Sequence, residues 1–105
     1  MILSEHIIRQ IKASVHKAEP GADIILFGSH ARGDHRKDSD VDLLILSEKQ
    51  KISDLDKQHI IYDLYDIELS SGYPISSVIL SKTDWNSRYM SSPFYHNVKE
   101  DGILL

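Results

Sequence analysis

Two aspartates separated by one residue, Asp40 and Asp42, are the side chains of this sequence best suited to chemistry. They stand at the start of an apolar run that ends at Leu46 and is typical of a buried β-strand. Residues two apart on a strand point to the same face, so the two carboxylates are expected side by side. Such a pair repels itself unless one member is protonated or a cation lies between them. Hard oxygen ligands of this kind favour Mg²⁺, which takes its remaining ligands from water and substrate phosphates.

A glycine-serine pair, Gly28-Ser29, ends the preceding apolar run and supplies complementary chemistry. Gly28 allows a tight turn and close approach of a triphosphate to the backbone. Ser29 offers hydroxyl and amide donors and is expected to cap a short helix whose first amides face the phosphates. With two bound ions, such a site suits in-line displacement at a phosphoryl group. The pattern predicts a metal-dependent nucleotidyltransferase site.

The loop between these two motifs is mostly basic. Arg32, with Arg36 and Lys37 as further candidates, could neutralise charge that develops on the phosphates. The alternative for Arg32 is an ion pair with Asp34 or Asp38, and the alternative for Arg36 and Lys37 is a solvated loop. The alternative for Gly28 to Gly33 is an ordinary strand-to-helix turn, with the two aspartates capping a strand entry, and the full spacing of the two motifs favours the functional interpretation over it.

Hydrophobic periodicity and capping residues predict the elements that must position these groups. Pro20-Gly21 stops the first helix before the first strand, and Gly72 and Pro74 stop the second long helix before the third strand. A short connection between the first two strands favours a mixed sheet over a parallel one. We therefore expect one α/β (α+β) domain over residues 1–105, a small mixed three-stranded sheet flanked by helices. The predicted elements are helix 4–18, a strand at 23–27 buried on both faces, strand 40–46, helix 53–70, strand 75–80, a short helix from 81 to about 89, and a helix from 92 to about 100.

Composition excludes several classes of function. The 105 residues carry 16 acidic and 12 basic side chains, a net charge of -4, which argues against a general nucleic-acid surface. There is no cysteine, so disulfides, a thiol nucleophile and cysteine-ligated zinc are excluded. No apolar run is long enough to span a membrane, and the first residues lack the features of a signal peptide. A cytoplasmic protein is the expectation.

The two motifs together resemble a known family. Gly28-Ser29-x-Ala31-Arg32-Gly33-Asp34, followed by Ser39-Asp40-x-Asp42-Leu43-Leu44, is similar to the minimal nucleotidyltransferases of the DNA polymerase beta-like superfamily. The resemblance implies transfer of a nucleoside monophosphate, with AMP expected, from ATP or another nucleoside triphosphate, and release of pyrophosphate. It assigns nucleotide phosphates to Gly28 and Ser29 and Mg²⁺ to Asp40 and Asp42. It also implies a protein or small acceptor. Some small members of the family are antitoxins that adenylylate a HEPN-domain toxin, so the resemblance implies a HEPN-domain protein as partner. A homo- or hetero-oligomer is the assembly that we expect.

The sequence departs from that family at one position. The family pattern usually has a third carboxylate on the next core strand, where it often activates the attacking hydroxyl. Here the strand 74–80 contains no acid, and Ser76 or Ser77 stands in its place. Asp84 and Asp66 are substitutes to consider, although both fall in predicted helices. This departure favours a second hypothesis, a catalytically weak binding module that acts by complexing a partner protein. A third is a subunit whose partner completes the substrate site.

The remaining histidines and aromatics have structural interpretations. The six histidines lack metal-ligand spacing and are expected mostly at the surface, with a role near the phosphates as the alternative for His30. Trp85, Phe94 and Tyr95 are expected to pack the last helices together. Tyr62, Tyr65 and Tyr89 are expected at the core edge or on a partner surface.

Overall fold

The protein forms a four-stranded mixed sheet with helices on both faces. A computed structural model describes residues 3–105. Its elements, in chain order, are α1 Glu5–Ala18, β1 Asp23–Phe27, α2 Ser29–Arg32, β2 Val41–Ser47, α3 Asp54–Ser71, β3 Ile75–Ser81, α4 Lys82–Trp85, α5 Pro93–Asp101 and β4 Ile103–Leu104. No helix within this range is long and apolar enough to cross a bilayer.

The order of the strands across the sheet is β3-β2-β1-β4. β1 runs antiparallel to both β2 and β4, and β2 runs parallel to β3. The mixed character was predicted from the short connection between β1 and β2. The strand number was wrong, because Ile103 and Leu104 form a fourth strand by pairing with Leu26 and Ile25. A two-residue strand leaves almost no periodicity in a sequence, so the apolar residues 103–105 alone do not indicate a strand.

Each face of the sheet has its own hydrophobic cluster. On one face, α1 and α3 pack over alternate residues of β1 and β2, and this larger cluster includes Ile11, Leu26, Leu43, Ile45 and Leu64. On the other, α4 and α5 pack over a smaller cluster that consists of Leu44, Leu46, Trp85 and Val98, with Phe27, Tyr89, Phe94 and Tyr95 against it. Trp85, Phe94 and Tyr95 thus join the last helices to the sheet, as predicted.

Serine caps account for most of the helix starts. The side chains of Ser4, Ser53, Ser81 and Ser92 each accept a hydrogen bond from the amide three residues further on. This arrangement satisfies one of the amides that the first turn of a helix leaves unpaired. All four helices begin where the sequence predicts, within one residue.

Two predictions about burial are wrong. β1 alternates between buried and half-buried residues, so β2, not β1, is the strand enclosed on both faces. The helical spacing of Leu55 with Ile60, Leu64 and Ile67 predicts that it belongs to the core stripe of α3, but 62% of it is exposed. It lies in the first turn of α3, and the buried residues of the helix begin at Ile60.

Candidate nucleotide and metal site

The register between β1 and β2 brings the two motifs into contact. Phe27, the last residue of β1, pairs directly with Asp42, the second residue of β2. Gly28 follows Phe27 with a φ of 75°, a conformation that residues with a Cβ rarely adopt. A Cβ on Gly28 would collide with the carboxylate oxygen Oδ2 of Asp42. Glycine is therefore required here for two reasons, and its backbone abuts the side chain of Asp42.

Gly28 also begins the short helix α2, which corrects the role predicted for Ser29. Gly28 is the N-cap, and its carbonyl accepts hydrogen bonds from the amides of Ala31 and Arg32, both at 3.1 Å. Ser29 is the first helical residue and caps nothing with its side chain. The helix ends at Gly33, which adopts the left-handed conformation with a φ of 83°. This tight turn directs Ser29 and Arg32 to the same side as Asp42.

A cavity of about 380 Å³ lies where these residues meet. It is formed by the end of β1, α2, Asp42 and one side of α5. Four of the predicted site residues, Gly28, Ser29, Arg32 and Asp42, line it. Asp40 is exposed, immediately before β2, and does not line the cavity wall. The remaining lining residues are Phe27, Phe94, Asn97, Val98 and Asp101.

The electrostatics of Asp42 link it to its neighbours. Partial burial raises the pKa of Asp42 above its ordinary value, and the negative charge of Asp40 raises it further. His30 and Arg32 act in the opposite direction and lower it. The two carboxylates are thus close enough for the charge of Asp40 to oppose the ionisation of Asp42. A cation bound between them would relieve that repulsion.

The donor set fits a hydrated divalent cation better than a site made of protein alone. No group of three or more His, Cys, Asp or Glu side chains within residues 3–105 is arranged to hold a metal. Two carboxylates beside an open cavity provide only part of a magnesium shell, and Mg²⁺ ordinarily completes it with water and phosphate oxygens. The residues present therefore fit a metal that enters together with a nucleotide.

The basic loop contributes one residue to the cavity. The Nε of Arg32 donates to Oδ2 of Asp34 at 3.2 Å, and both side chains are largely exposed. Arg32 thus makes the ion pair that was its alternative role while it also lines the cavity. Arg36 and Lys37 are exposed and lie outside the cavity lining, in agreement with a solvated loop.

The third strand places a serine, and no acid, beside Asp42. Ser76 pairs with Asp42 in the parallel register, so its side chain lies on the same face of the sheet. The two suggested substitutes for the third carboxylate are elsewhere. Asp84 follows the opposite end of β3 and pairs with Arg88, and Asp66 is exposed on α3. Neither lines the cavity.

Sequence reasoning missed Asp101, the second acidic residue of the cavity lining. It is half-buried in the last turn of α5. A carboxylate near a helix C-terminus is disfavoured by the helix dipole, which was the available signal that Asp101 has another role. His30, the histidine for which a role near the phosphates was the alternative to a surface position, is buried, with only 2% of it exposed.

Residues 8–96 match the sequence model of the nucleotidyltransferase domain family. The chain belongs to this family. It is thus a nucleotidyltransferase, as the paired motifs predicted.

Relatives and solved structures agree with the assignment. A protein of Methanocaldococcus jannaschii, provisionally named a protein adenylyltransferase, is 37% identical over 82 residues, which cover 78% of this chain and 75% of the relative. A crystal structure of a toxin-antitoxin with AMP-PNP superimposes with a TM-score of 0.66 at 19% identity and covers 97% of this chain and 72% of that one. A Sulfolobus solfataricus protein, solved as a provisional nucleotidyltransferase, has a TM-score of 0.59 at 19% identity over 94% of this chain and 76% of its own. At these identities the solved structures establish the fold.

Proposed function

We propose that this protein transfers AMP from ATP to a hydroxyl group of a partner protein in a magnesium-dependent reaction. The observation that carries the proposal is the contact of the Gly28 backbone with the Asp42 carboxylate at the mouth of a cavity lined by Ser29 and Arg32. Backbone, hydroxyl and guanidinium groups on one side suit phosphates, and the carboxylate on the other side suits a cation.

Each residue has a defined task in this reaction. Gly28 and Ser29 hold the triphosphate against α2, and Arg32 stabilises the charge that accumulates on the phosphate oxygens. Asp40 and Asp42 would hold Mg²⁺, which when bound supplies electrostatic stabilisation of the entering and leaving oxygens. The acceptor oxygen bonds to the α-phosphorus, the α–β phosphoanhydride bond breaks, and pyrophosphate leaves.

The proton of the acceptor hydroxyl needs a base, and we assign this task to Asp101. It lies in the same cavity as Asp42, on a different element from the strand that usually carries the third carboxylate. A carboxylate placed beside the acceptor can take the proton as the new bond forms. The cavity therefore contains a second carboxylate, that of Asp101, although β3 carries no acid.

A HEPN-domain toxin is the partner we propose as acceptor. Its support is the likeness to a toxin-antitoxin structure, together with an apolar surface on α3 that the fold leaves uncovered. This surface consists of the exposed residues Leu55, Tyr62, Tyr65 and Leu69. Co-expression with a HEPN-domain protein encoded beside it is expected to yield a complex. Leu69→Glu should weaken that complex, whereas Met90→Glu, at an exposed apolar residue between α4 and α5, should leave it intact.

Transfer of label from ATP labelled at the α-phosphate tests the reaction. Wild-type protein, Mg²⁺ and the co-expressed HEPN-domain protein are expected to give labelled partner. Asp42→Asn should reduce the rate by about 100-fold or more, since the loss of a metal ligand removes several kcal/mol of stabilisation. The matched control is Asp38→Asn, which removes an exposed carboxylate of the same loop and should retain activity. Equal transfer by wild type and Asp42→Asn would contradict the proposal.

The second candidate function is a binding module, favoured by the serine that stands opposite Asp42 on β3. Under this hypothesis the protein neutralises its partner by complex formation alone. Asp42→Asn would then bind and neutralise the partner as well as wild type does. Loss of neutralisation together with loss of label transfer would exclude this function.

A further inference from the structure

His30 is the most buried residue of α2, although it lies within an otherwise partly exposed turn. Only 2% of it is exposed, whereas Ser29 and Arg32 on the same helix reach the cavity. Its ring stacks on that of His35, with centroids 4.3 Å apart and an interplanar angle of 18°, and meets Tyr73 edge-on at 6.1 Å. None of the tasks assigned to the site uses this side chain.

The ring connects α2 to the turn that carries Asp40. Nε2 of His30 lies 3.1 Å from the carbonyl oxygen of Ser39, the residue immediately before Asp40. A carbonyl oxygen only accepts, so the hydrogen of the imidazole must be on Nε2. The bond spans nine residues of chain and joins the phosphate-binding half of the motif to the carboxylate half.

This bond restrains a carboxylate that the sheet does not hold. Asp40 is exposed and lies just outside β2, where no strand pairing fixes its position. Within the turn, Ser39 donates its amide to Arg36 and accepts the Arg36 amide on its Oγ. These bonds shape the turn but do not attach it to the rest of the protein. His30 attaches the turn on the side before Asp40, and the Val41 amide, which bonds to the Pro74 carbonyl, holds the chain after it.

A second metal site is another interpretation of the histidine pair, and it fits less well. The Nδ1 atoms of His30 and His35 are both buried, and neither has a hydrogen-bond partner in the part of the chain that the structure describes. A metal ion lies in the plane of each imidazole that binds it, and two nearly parallel stacked rings cannot share one ion in both planes. The pair therefore does not form a second metal site.

We propose that His30 is a positioning residue, which holds the Ser39 carbonyl so that Asp40 faces Asp42 at the spacing a metal requires. The effect of His30 on metal binding rests on the proposed metal-dependent function. The hydrogen bond between His30 and the Ser39 carbonyl is itself a property of the metal-free protein. The loss of a residue that orients a metal ligand by hydrogen bonding, without touching the metal, ordinarily lowers metal affinity about 10- to 100-fold.

Two variants at position 30 separate the hydrogen bond from the volume of the ring. His30→Gln keeps a side-chain N–H near the position of Nε2, whereas His30→Leu fills the space without a donor. His16→Leu is the matched control, because Nε2 of His16 makes a comparable bond to the Ala22 carbonyl at 3.0 Å, between α1 and the segment before β1. All three variants are expected to fold, as judged by far-UV circular dichroism.

The first measurement is amide hydrogen exchange without metal or nucleotide. The amides of Ser39 and Val41 flank Asp40 and bond to the carbonyls of Arg36 and Pro74. His30→Leu should accelerate exchange at the Ser39 amide by about 10-fold, because the loss of one hydrogen bond worth about 1.4 kcal/mol makes the open state about 10 times more populated. His30→Gln should stay within about 3-fold of wild type, and His16→Leu should leave this turn unchanged.

The second measurement is the affinity for Mn²⁺ in the presence of a non-hydrolysable ATP analogue, by calorimetry. His30→Leu should weaken Mn²⁺ binding by about 10-fold, with rescue by His30→Gln and no change in His16→Leu. The proposal would be overturned if His30→Leu had the same amide exchange rates and the same Mn²⁺ affinity as wild type. It would also be overturned if His30→Gln and His30→Leu lost Mn²⁺ affinity and exchange protection equally. If wild type itself binds no Mn²⁺ with the analogue, the proposed function fails, while the exchange result still decides whether His30 holds the turn.

Discussion

Asp42 has surroundings that disfavour its own ionised form. Partial burial and the neighbouring Asp40 both raise its pKa, and the carboxylate lies against Gly28, where a Cβ would collide with it. A protein gains nothing in stability from such a carboxylate, which is consistent with its retention for binding a cation. The cost of this arrangement to the metal-free protein can be measured.

Asp42→Asn is expected to raise the Tm of the metal-free protein at pH 7 by about 2–4 °C. The amide keeps the shape of the carboxylate, removes the charge and ends the repulsion with Asp40. Differential scanning calorimetry in the presence of a chelator measures the change. Asp38→Asn, at an exposed position of the same loop, should alter Tm by less than about 1 °C. A lower Tm in Asp42→Asn would contradict this interpretation.

The pH dependence of that difference follows from the direction of the pKa shift. Because the pKa of Asp42 is raised in the folded protein, the folded state holds the proton more tightly than the unfolded state. The resulting stability is fully present below the ordinary value of 3.8 and is lost as the pH rises through the raised value. The advantage of Asn over Asp should therefore shrink as the pH falls towards 3.8. A difference in Tm that does not vary with pH would exclude the raised pKa as its cause.

Asp101 allows a kinetic test of the proposed base. Asp101→Asn should lower kcat by about 100-fold, because a general base typically contributes a factor of 100 or more, with little change in KM for ATP. Steady-state kinetics with the HEPN-domain acceptor measures both constants. Glu100→Gln, the adjacent exposed acid of α5, is the matched control and should retain full kcat. A proportional rise in KM with kcat unchanged would assign Asp101 to binding instead.

Two kinds of site residue differ in how far the sequence alone could predict them. Gly28, Asp40 and Asp42 belong to local patterns, in which a turn and a strand entry place chemical groups within a short stretch of chain. Asp101 and His30 depend on contacts that no local pattern contains, since one reaches the cavity from α5 and the other is buried by the packing of Tyr73 and His35.

At the scale of elements, α5 forms one wall of the site, and Gly102 links α5 to β4. The amide of Gly102 bonds to the carbonyl of Val98 at 2.7 Å, and β4 then pairs with β1. A Cβ at this position would collide with that carbonyl and lie 2.9 Å from a methyl group of Ile25. The position of α5 over the cavity thus depends on the absence of a side chain here.

Gly102→Ala is expected to lower the free energy of unfolding by about 1–3 kcal/mol, because the obstacles are backbone and a branched core side chain that cannot move freely. Urea denaturation measures the loss. Gly21→Ala is the matched control, since its Cβ would meet only the end of the exposed and flexible Glu48 side chain. A change within about 0.5 kcal/mol is expected there. Equal losses in both variants would mean that the general cost of replacing glycine, not the collision, is measured.

The elements themselves differed in how well they could be predicted. Helices α1, α3, α4 and α5 have serine caps and glycine or proline boundaries, so their limits were correct within a residue or two, except that α4 ends at Trp85 instead of continuing to Tyr89. The sequence did not predict β4 or the exposure of Leu55 at the start of α3. Strand pairing and the extent of the surface against which a helix packs are tertiary properties, which no local pattern contains.

At the scale of the whole molecule, ligand binding should appear as a change in global stability. The two carboxylates offer an incomplete metal shell, so Mg²⁺ alone is expected to shift Tm by less than about 1 °C. ATP and Mg²⁺ together, at about 100 times the dissociation constant, should stabilise the folded state by about 2.7 kcal/mol. Differential scanning fluorimetry with each component alone and in combination measures this coupling. An equal shift with Mg²⁺ alone would indicate a metal site that needs no nucleotide.

The pairing of β1 with β2 also determines which changes of chain length the molecule tolerates. Asp42 reaches the cavity because it pairs with Phe27, and Val41 and Leu43 on either side of it are buried under α1 and α3. One residue inserted within β2 before Asp42 would rotate the carboxylate into that core and a leucine or valine out of it. Residues inserted among the exposed positions 36–38 would leave the strand register unchanged. The loop can therefore change in length while Asp42 stays opposite Phe27 and keeps its place in the cavity.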